Sequence, residues 1–301
     1  MKGIISGIKR MEIHDGDGIR TTVFMKGCPL KCIWCHNPES LSFKPQIAYF
    51  HNKCIKCGNC ISSCKNNLMF VKNGNIESDF NNCPKECFDC ANACPVDARV
   101  LFGKEYDVDE LVEIILLDRN FFKSSGGGVT ISGGECLSQP EFTIELARKL
   151  SDNGISVNID TCGYINTDIL ERIMPYTDMF LYDIKAIDSD VHCAITGKNN
   201  ELILDNLRFL LLKGAKIEIR VPLVQGVNDG EIKKIGEFLS SFKNPPKIKV
   251  LQYHSFAKSR YQALGLECTL PDVITTKQDV ENAVNILKKY NLNAINGIIE
   301  D

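Results

Sequence analysis

Cys28, Cys32 and Cys35 stand at C-x3-C-x2-C spacing in the stretch GCPLKCIWCHNPE. Three thiolates this close can wrap one corner of a cubane iron–sulfur cluster, which has four irons to ligate. One iron is then left without a cysteine. An open metal position can bind a small molecule, as an open zinc site binds substrate, so the spacing points to chemistry rather than electron storage. The competing reading is a structural zinc site completed by His36 or another residue, but zinc modules more often use paired C-x2-C units.

Eight more cysteines follow in two runs. Cys54, Cys57, Cys60 and Cys64 read C-x2-C-x2-C-x3-C, and Cys83, Cys87, Cys90 and Cys94 read C-x3-C-x2-C-x3-C before Pro95. This is the ligand pattern of a bacterial two-cluster ferredoxin, in which the fourth cysteine of each run ligates the other cluster. The expected sets are Cys54, Cys57, Cys60 with Cys94, and Cys83, Cys87, Cys90 with Cys64. Both clusters have every iron ligated and should only carry electrons. The extra residue between Cys83 and Cys87, and Lys65 after Cys64, depart from the usual run. A pair of zinc ribbons is the alternative, and it leaves unexplained why each run packs four cysteines so tightly. Cys136, Cys162, Cys193 and Cys268 are scattered singly and receive no role, Cys136 reading as a packed or inert thiol.

The elements that must hold these groups show in the hydrophobic pattern. Six strands are expected at residues 21–25, 129–132, 155–160, 179–184, 216–221 and 248–253. Helices with apolar residues three and four apart are expected at 108–117, 141–152, 168–174, 201–212, 231–242 and 277–289. Repeated βα units of this kind make a parallel sheet, and six suggest a partial barrel. The fold class is therefore α/β, a partial (β/α)6 barrel formed by residues 1–45 and 103–301. Residues 46–102 do not fit that rhythm and are too many for a structureless loop, so they read as an inserted ferredoxin-like domain with two 4Fe-4S clusters.

Composition bounds the setting. The chain has 301 residues, 44% apolar, 15 cysteines and a net charge of -3. The mild acidity argues against nucleic acid or an anionic membrane as partner. Residues 1–15 lack the apolar core of a signal peptide, and apolar runs of about four residues are too short to span a membrane. The cysteines are thus expected to be metal ligands in a reducing cytoplasm.

Motifs follow the strands, where a βα barrel collects its catalytic groups. Ser132-Gly133-Gly134-Glu135 offers close backbone approach and a carboxylate able to hold an ammonium. Gly-Gly is also a common plain turn. Asp160-Thr161-Cys162-Gly163, Asp183-Ile184-Lys185, Arg220-Val221-Pro222 and Gln252-Tyr253-His254 end the next four. An aspartate and a lysine at neighbouring strand ends often form only a salt bridge.

The C-x3-C-x2-C run with aromatic Trp34 before its last cysteine resembles the radical S-adenosylmethionine superfamily. His14-Asp15-Gly16-Asp17-Gly18-Ile19-Arg20 and the C-H-N-P-E text from Cys35 to Glu39 resemble the activating enzymes of glycyl radical enzymes, over nearly the whole chain. Asp17 stands where that family most often has proline. The resemblance implies that Trp34, Gly133, Gly134, Glu135, Asp183, Lys185 and His254 bind S-adenosylmethionine. It implies a monovalent cation at Asp160, Thr161 and Asp183, and a partner's glycine loop at Asp15 and Arg220. His14, His51 and His192 have no such support.

The implied cofactors are three 4Fe-4S clusters with S-adenosylmethionine as cosubstrate. The implied reaction is reductive cleavage to methionine and a 5'-deoxyadenosyl radical, which takes a hydrogen atom from the α-carbon of one glycine in a partner enzyme. No acid or base side chain is needed for that step. A flavodoxin or ferredoxin would supply electrons, through the insert, to a monomeric chain. The cysteine-rich insert resembles activases of diol or glycerol dehydratases, choline lyase, arylacetate decarboxylases, hydroxyproline dehydratase and sulfonate lyases more than those of formate acetyltransferase. Two alternatives are a radical enzyme acting on a small molecule or another peptide, and a plain iron–sulfur electron carrier.

Overall fold

Runs such as MFLYD at Met179–Asp183 and IEIRVPL at Ile217–Leu223 are buried on both faces, which suits strands covered by helices on one side and closing on themselves on the other. The computed structural model describes residues 1–79, 82–84 and 87–297. The strands are β1 (Lys2–Glu12), β2 (Arg20–Met25), β3 (Gln46–Tyr49), β4 (Met69–Lys72), β5 (Asn75–Ser78), β6 (Arg99–Phe102) and β7 (Lys104–Asp107). They continue with β8 (Gly128–Gly133), β9 (Ser156–Thr161), β10 (Met179–Asp183), β11 (Ile217–Leu223), β12 (Lys247–Gln252) and β13 (Ala294–Asn296). The helices are α1 (Asn59–Ser62), α2 (Asp89–Asn92), α3 (Val108–Leu116), α4 (Arg119–Ser125), α5 (Pro140–Asp152) and α6 (Thr167–Ile173). After these come α7 (Ser189–Thr196), α8 (Glu201–Leu212), α9 (Ile232–Ser240), α10 (Lys258–Ala263) and α11 (Lys277–Lys288).

Nine strands form one sheet in the order β7-β1-β2-β8-β9-β10-β11-β12-β13. From β2 to β13 every pair is parallel, and β1 runs antiparallel to both its neighbours. The edges β7 and β13 are not paired to each other among the described residues, so the arc stays open. The six expected strands are its centre, β2 and β8 to β12. The pattern missed β1, because Gly3 and Gly7 interrupt it and two register shifts against β2 break its alternation. It also missed α7, although Asp188 caps the helix through Asp190 and Val191 N–H groups and Gly197 ends it in the left-handed region.

Side-chain parity divides the sheet into two faces. Val23, Ile131, Ile159, Phe180, Ile219 and Val250 join the core under the helices with Leu146, Leu170, Leu207, Leu239 and Leu287. The intervening positions of the same strands carry Thr22, Thr130, Asn158, Asp160, Asp183, Glu218, Arg220 and Lys249. One face is thus oily, and the other lines a polar interior. Register then aligns the strand ends: Met25 lies opposite Gly133, Tyr182 opposite Thr161, and Asp183 opposite Arg220.

Strands β3 and β6 pair antiparallel as a two-stranded ribbon apart from the large sheet, with Gln46 opposite Phe102. The hairpin β4–β5 makes a further two-stranded sheet, and α1 and α2 each carry the third cysteine of a run, Cys60 and Cys90.

Fully buried Asn206 on α8 anchors the turn after β9. Its Nδ2 donates to Gly163 O at 2.9 Å and Ile165 O at 2.6 Å, and its Oδ1 accepts from Thr167 Oγ1 at 2.8 Å. Asn206→Leu should cost about 2–4 kcal/mol in urea unfolding, because two carbonyls lose their donors; a cost under about 0.5 kcal/mol would contradict this anchoring.

Candidate active site

The loop after β2 carries Cys28, Cys32 and Cys35, and neighbouring elements fix it from several sides. Gly27 N–H donates to Ser40 O at 2.8 Å, Lys31 N–H to Thr196 O at 2.7 Å and Ile33 N–H to Ile195 O at 3.0 Å. From α10, Arg260 Nη1 donates to His36 O (3.1 Å), Asn37 Oδ1 (3.3 Å) and Glu39 Oε1 (2.8 Å), and Tyr261 donates to Cys35 O at 3.2 Å. Sequence reasoning missed both α10 residues, since an Arg and a Tyr on a short helix carry no motif. Trp34 is 5% exposed and packs with Ala186, Ile195, Val224 and Tyr253 in a small second core. It braces the loop from beneath.

The three thiols are close enough to feel one another. Burial, and then the neighbouring thiolates Cys28 and Cys32, push Cys35 up to about 12; burial also lifts Cys32 to about 11, against the opposing pull of Lys185. Cys28 is drawn down by a hydrogen bond from Cys162, whose own thiol is held well above its usual range by that bond. Buried thiolates need a cation, and a coordinated metal removes the proton outright. The donor set therefore fits a cluster.

The Gly-Gly-Glu segment has a structural reason beside its chemical one. Gly133 has φ +126, and a Cβ there would overlap the backbone of Met25; a Cβ on Gly134 would overlap the carbonyls of Gly27 and Ser40. Gly134 N–H donates to Met25 O at 3.1 Å and Glu135 N–H to Gly27 O at 2.8 Å, so the end of β8 lies directly on the cysteine loop. The close approach is to the chain itself. Glu135 has no exposed surface, and its carboxylate accepts from Leu137 N–H (3.0 Å), Thr161 Oγ1 (2.8 and 2.9 Å) and Cys162 N–H (2.8 Å). Here the acid expected to meet an ammonium faces protein donors.

Lys185 and Asp183 form a pair at 2.6 Å, with the lysine 7% exposed. Burial works against its charge, but Asp183, Cys32 and Cys162 outweigh it and hold Lys185 above the usual range. Arg220, equally buried, has Asp15 at 3.6 Å, Asp160 at 3.8 Å and Glu218 at 3.8 Å, and donates to His14 O at 3.1 Å. Asp160 also accepts from Ser132 Oγ at 2.6 Å. Asp160, Thr161 and Asp183, expected at a monovalent cation, thus each have a protein partner.

His254 is exposed. Its ring stacks on His36 at 4.1 Å and on Phe256 at 4.3 Å, making a three-ring column from the surface to the residue after Cys35. His192, 1% exposed, shares its Nδ1 with Lys198 O and Thr196, which makes it a satisfied core histidine. His51 lies tilted against the Tyr49 ring, with centroids 4.0 Å apart, in the insert.

In the insert the eight cysteines divide by cavity. Cys54, Cys57, Cys60 and Cys94 line one, and Cys64, Cys83, Cys87 and Cys90 line another. Each cavity draws its fourth cysteine from the other run. Among the described residues no three His, Cys, Asp or Glu side chains gather about a single-ion position.

Two outcomes test this site. Gly134→Ala should lose most cluster loading on Cys28, Cys32 and Cys35 while the insert keeps its iron, as measured by iron analysis and Mössbauer spectra; full loading would contradict the close approach. Burial, partly offset by Arg220, lifts Asp160 to about 6. A carboxyl whose folded-state pKa lies above its unfolded value of about 3.9 stabilises fully below that value and loses the contribution as pH rises through the folded one. Asp160→Asn should therefore gain stability relative to the parent from about pH 4 to 6 in urea unfolding of metal-free protein. A constant difference across that window would contradict the shift.

Comparison with known proteins follows the same lines. The family profile described as Radical SAM superfamily matches residues 78–239, and one described as 4Fe-4S single cluster domain matches residues 14–71. The chain is 43% identical to the trans-4-hydroxy-L-proline dehydratase activating enzyme of Clostridioides difficile, over 88% of each chain. It is 38% identical to the choline trimethylamine-lyase activating enzyme of Oleidesulfovibrio alaskensis, over 96% of each. A radical SAM methyltransferase from Sphaerobacter thermophilus shares the fold, with a TM-score of 0.54 at 12% identity over 97% of this chain and 76% of that one. The chain belongs to the radical SAM superfamily and, within it, to the activating enzymes of glycyl radical enzymes, which use S-adenosylmethionine to make a radical for hydrogen abstraction from a partner's glycine.

Proposed function

We propose that Cys28, Cys32 and Cys35 hold a 4Fe-4S cluster whose fourth iron receives S-adenosylmethionine. We further propose that the two insert cavities hold two more clusters on Cys54/Cys57/Cys60/Cys94 and Cys83/Cys87/Cys90/Cys64. The observation that carries this reading is the meeting, at one end of the sheet, of the half-buried cysteine loop with the Lys185–Asp183 pair, whose buried lysine acts on Cys32. When bound, the clusters supply single electrons, and S-adenosylmethionine supplies the radical that takes the partner's hydrogen atom.

The chain's residues bind and orient. Lys185 and Asp183 offer a cation and a carboxylate to the methionine carboxylate and the ribose. Gly133 and Gly134 shape the wall, and Glu135 fixes Thr161 and Cys162 beside it. Trp34 holds the loop against the second core. His254 stands at the exposed rim, where the adenine side of the ligand would emerge. Asp15 and Arg220, deeper in the polar interior, receive the partner's glycine loop, and a monovalent cation near Asp160, Thr161 and Asp183 would have to compete with their present partners. Enclosure by this polar wall keeps the radical from water.

The partner is a glycyl radical dehydratase or lyase; the insert and the named relatives support that class. A flavodoxin or ferredoxin is the reductant, and the monomer works in the cytoplasm. Among the described residues no helix is long and apolar enough to cross a membrane.

Anaerobically reconstituted protein should carry about 12 irons, three cubanes of four. Mixed with reductant, S-adenosylmethionine and a candidate dehydratase or lyase, it should produce a glycyl radical by electron paramagnetic resonance. Cys32→Ser should abolish the signal, and Cys57→Ser should slow its appearance. Deoxyadenosine release with no radical on any such partner would favour a small-molecule substrate, and about four irons would remove the insert clusters from the account.

A further inference from the structure

The two insert cavities differ in their charged lining. Among the described residues, the first is lined by Lys56 and Arg99 beside its four cysteines, and the second by Asp79 and Asp89 beside its own. Arg99 is 2% exposed, and its guanidinium lies 4.0 Å over the ring of Tyr49, its cross-strand partner in the β3–β6 ribbon. A guanidinium keeps its charge even when buried. Tyr49 in turn lies beside Cys54, and burial followed by that contact pushes its hydroxyl up to about 12. Backbone N–H groups of Arg99, Val96 and Ala98 turn toward the Cys94 sulfur.

Position agrees with charge. The first cavity borrows its wall from the ribbon that joins insert to barrel, through Tyr49, Ala98 and Arg99. Both reach the hairpin β4–β5, the first through Ile76 and the second through Met69 and Ser78, but among the described residues the second has no wall on the ribbon. At the ribbon's far end, buried Lys26 donates to Gln46 Oε1 at 3.1 Å and to Glu39 O in the loop that carries Cys28 to Cys35. The basic cavity is therefore the inner one along the connection to the active site.

We propose that Arg99, fixed on Tyr49, is a positioning residue that raises the reduction potential of the inner cluster (Cys54, Cys57, Cys60, Cys94) above that of the outer one. Reduction adds one electron and one negative charge to a cluster already anionic with its thiolates. No bond breaks and no proton is needed. Net charge, hydrogen bonds to the sulfurs and burial set such potentials. Both cavities have N–H donors to a cysteine sulfur, Leu68 N–H reaching Cys64 Sγ at 3.3 Å in the outer one, and Asp89 there is paired with Lys65 at 3.4 Å. The difference left is the buried Arg99 cation at the inner cavity, which stabilises the reduced form, and Asp79 at the outer one, which opposes it. The gradient directs electrons from a flavodoxin- or ferredoxin-class reductant inward. The inference rests on the two-cluster reading above.

The test is potentiometric titration of the full chain with mediated dithionite, followed by electron paramagnetic resonance. Cys57→Ser identifies the inner cluster's signal. In the parent the inner cluster should reduce first. Arg99→Met should lower the inner potential and narrow the gap, Arg99→Lys should largely restore it, and Asp79→Asn should narrow the gap from the other side by raising the outer potential. A merely structural arginine would leave the potentials in place wherever the irons are retained. An unchanged gap in Arg99→Met, or an equal loss in Arg99→Lys, overturns the proposal. If Arg99→Met sheds inner-cluster iron, the order of reduction in the parent and the shift in Asp79→Asn decide, and an outer cluster that reduces first overturns it. Fewer than about eight irons in the parent's insert would instead overturn the two-cluster reading itself.

Discussion

Glu135 is a carboxylate without exposed surface, and three donor groups converge on it, Leu137 N–H from the 3-10 turn at Cys136–Ser138 and Thr161 Oγ1 and Cys162 N–H from the end of β9. Its own N–H reaches across to Gly27, just before Cys28. A buried charge persists only when hydrogen bonds replace its lost water, so this residue ties β8, β9 and the cysteine loop into one arrangement. The two glycines before it make that possible, since any side chain would push the loop away. Thr161 and Cys162 take their positions from Glu135, and Cys162 in turn faces Cys28.

The same economy holds across the sheet. Period-two alternation sends Val, Ile and Leu to the helices and leaves Thr130, Asn158, Asp160, Asp183, Glu218, Arg220 and Lys249 on the inner face. Such a lining would be costly in a closed core. It persists because its charges face one another: Arg220 lies among Asp15, Asp160 and Glu218, and Lys185 meets Asp183. The inner face is thus a preorganised array of paired charges on a sheet whose edge strands β7 and β13 stay unpaired with each other among the described residues.

Much of this was legible in the sequence, because metal ligation is written in spacing. The three cysteine groups show in C-x-C intervals, and the crossing of the fourth cysteine between insert runs was expected from the two-cluster ferredoxin pattern, with the eight thiols lining two cavities in that grouping. The six central strands followed from apolar runs bounded by turns. What escaped had weaker local signals. β1 carries glycines and bulges, and β13 is only three residues long. Arg260 and Tyr261 hold the cysteine loop from more than 200 residues away, a relation no local pattern encodes. Glu135 and Trp34 were read as ligand contacts from motif position; the structure gives both an internal packing or hydrogen-bonding role, and that role depends on where neighbouring strands end.

The proposed radical chemistry requires an open iron beside the Lys185–Asp183 pair. Electron–nuclear double resonance of the reduced protein with S-adenosylmethionine labelled with nitrogen-15 at its amino group examines that iron directly. A nitrogen-15 hyperfine coupling to the cluster on Cys28, Cys32 and Cys35, absent before the ligand is added, is the expected result. A fully cysteine- or histidine-ligated cluster showing no coupling to the labelled amine would contradict it.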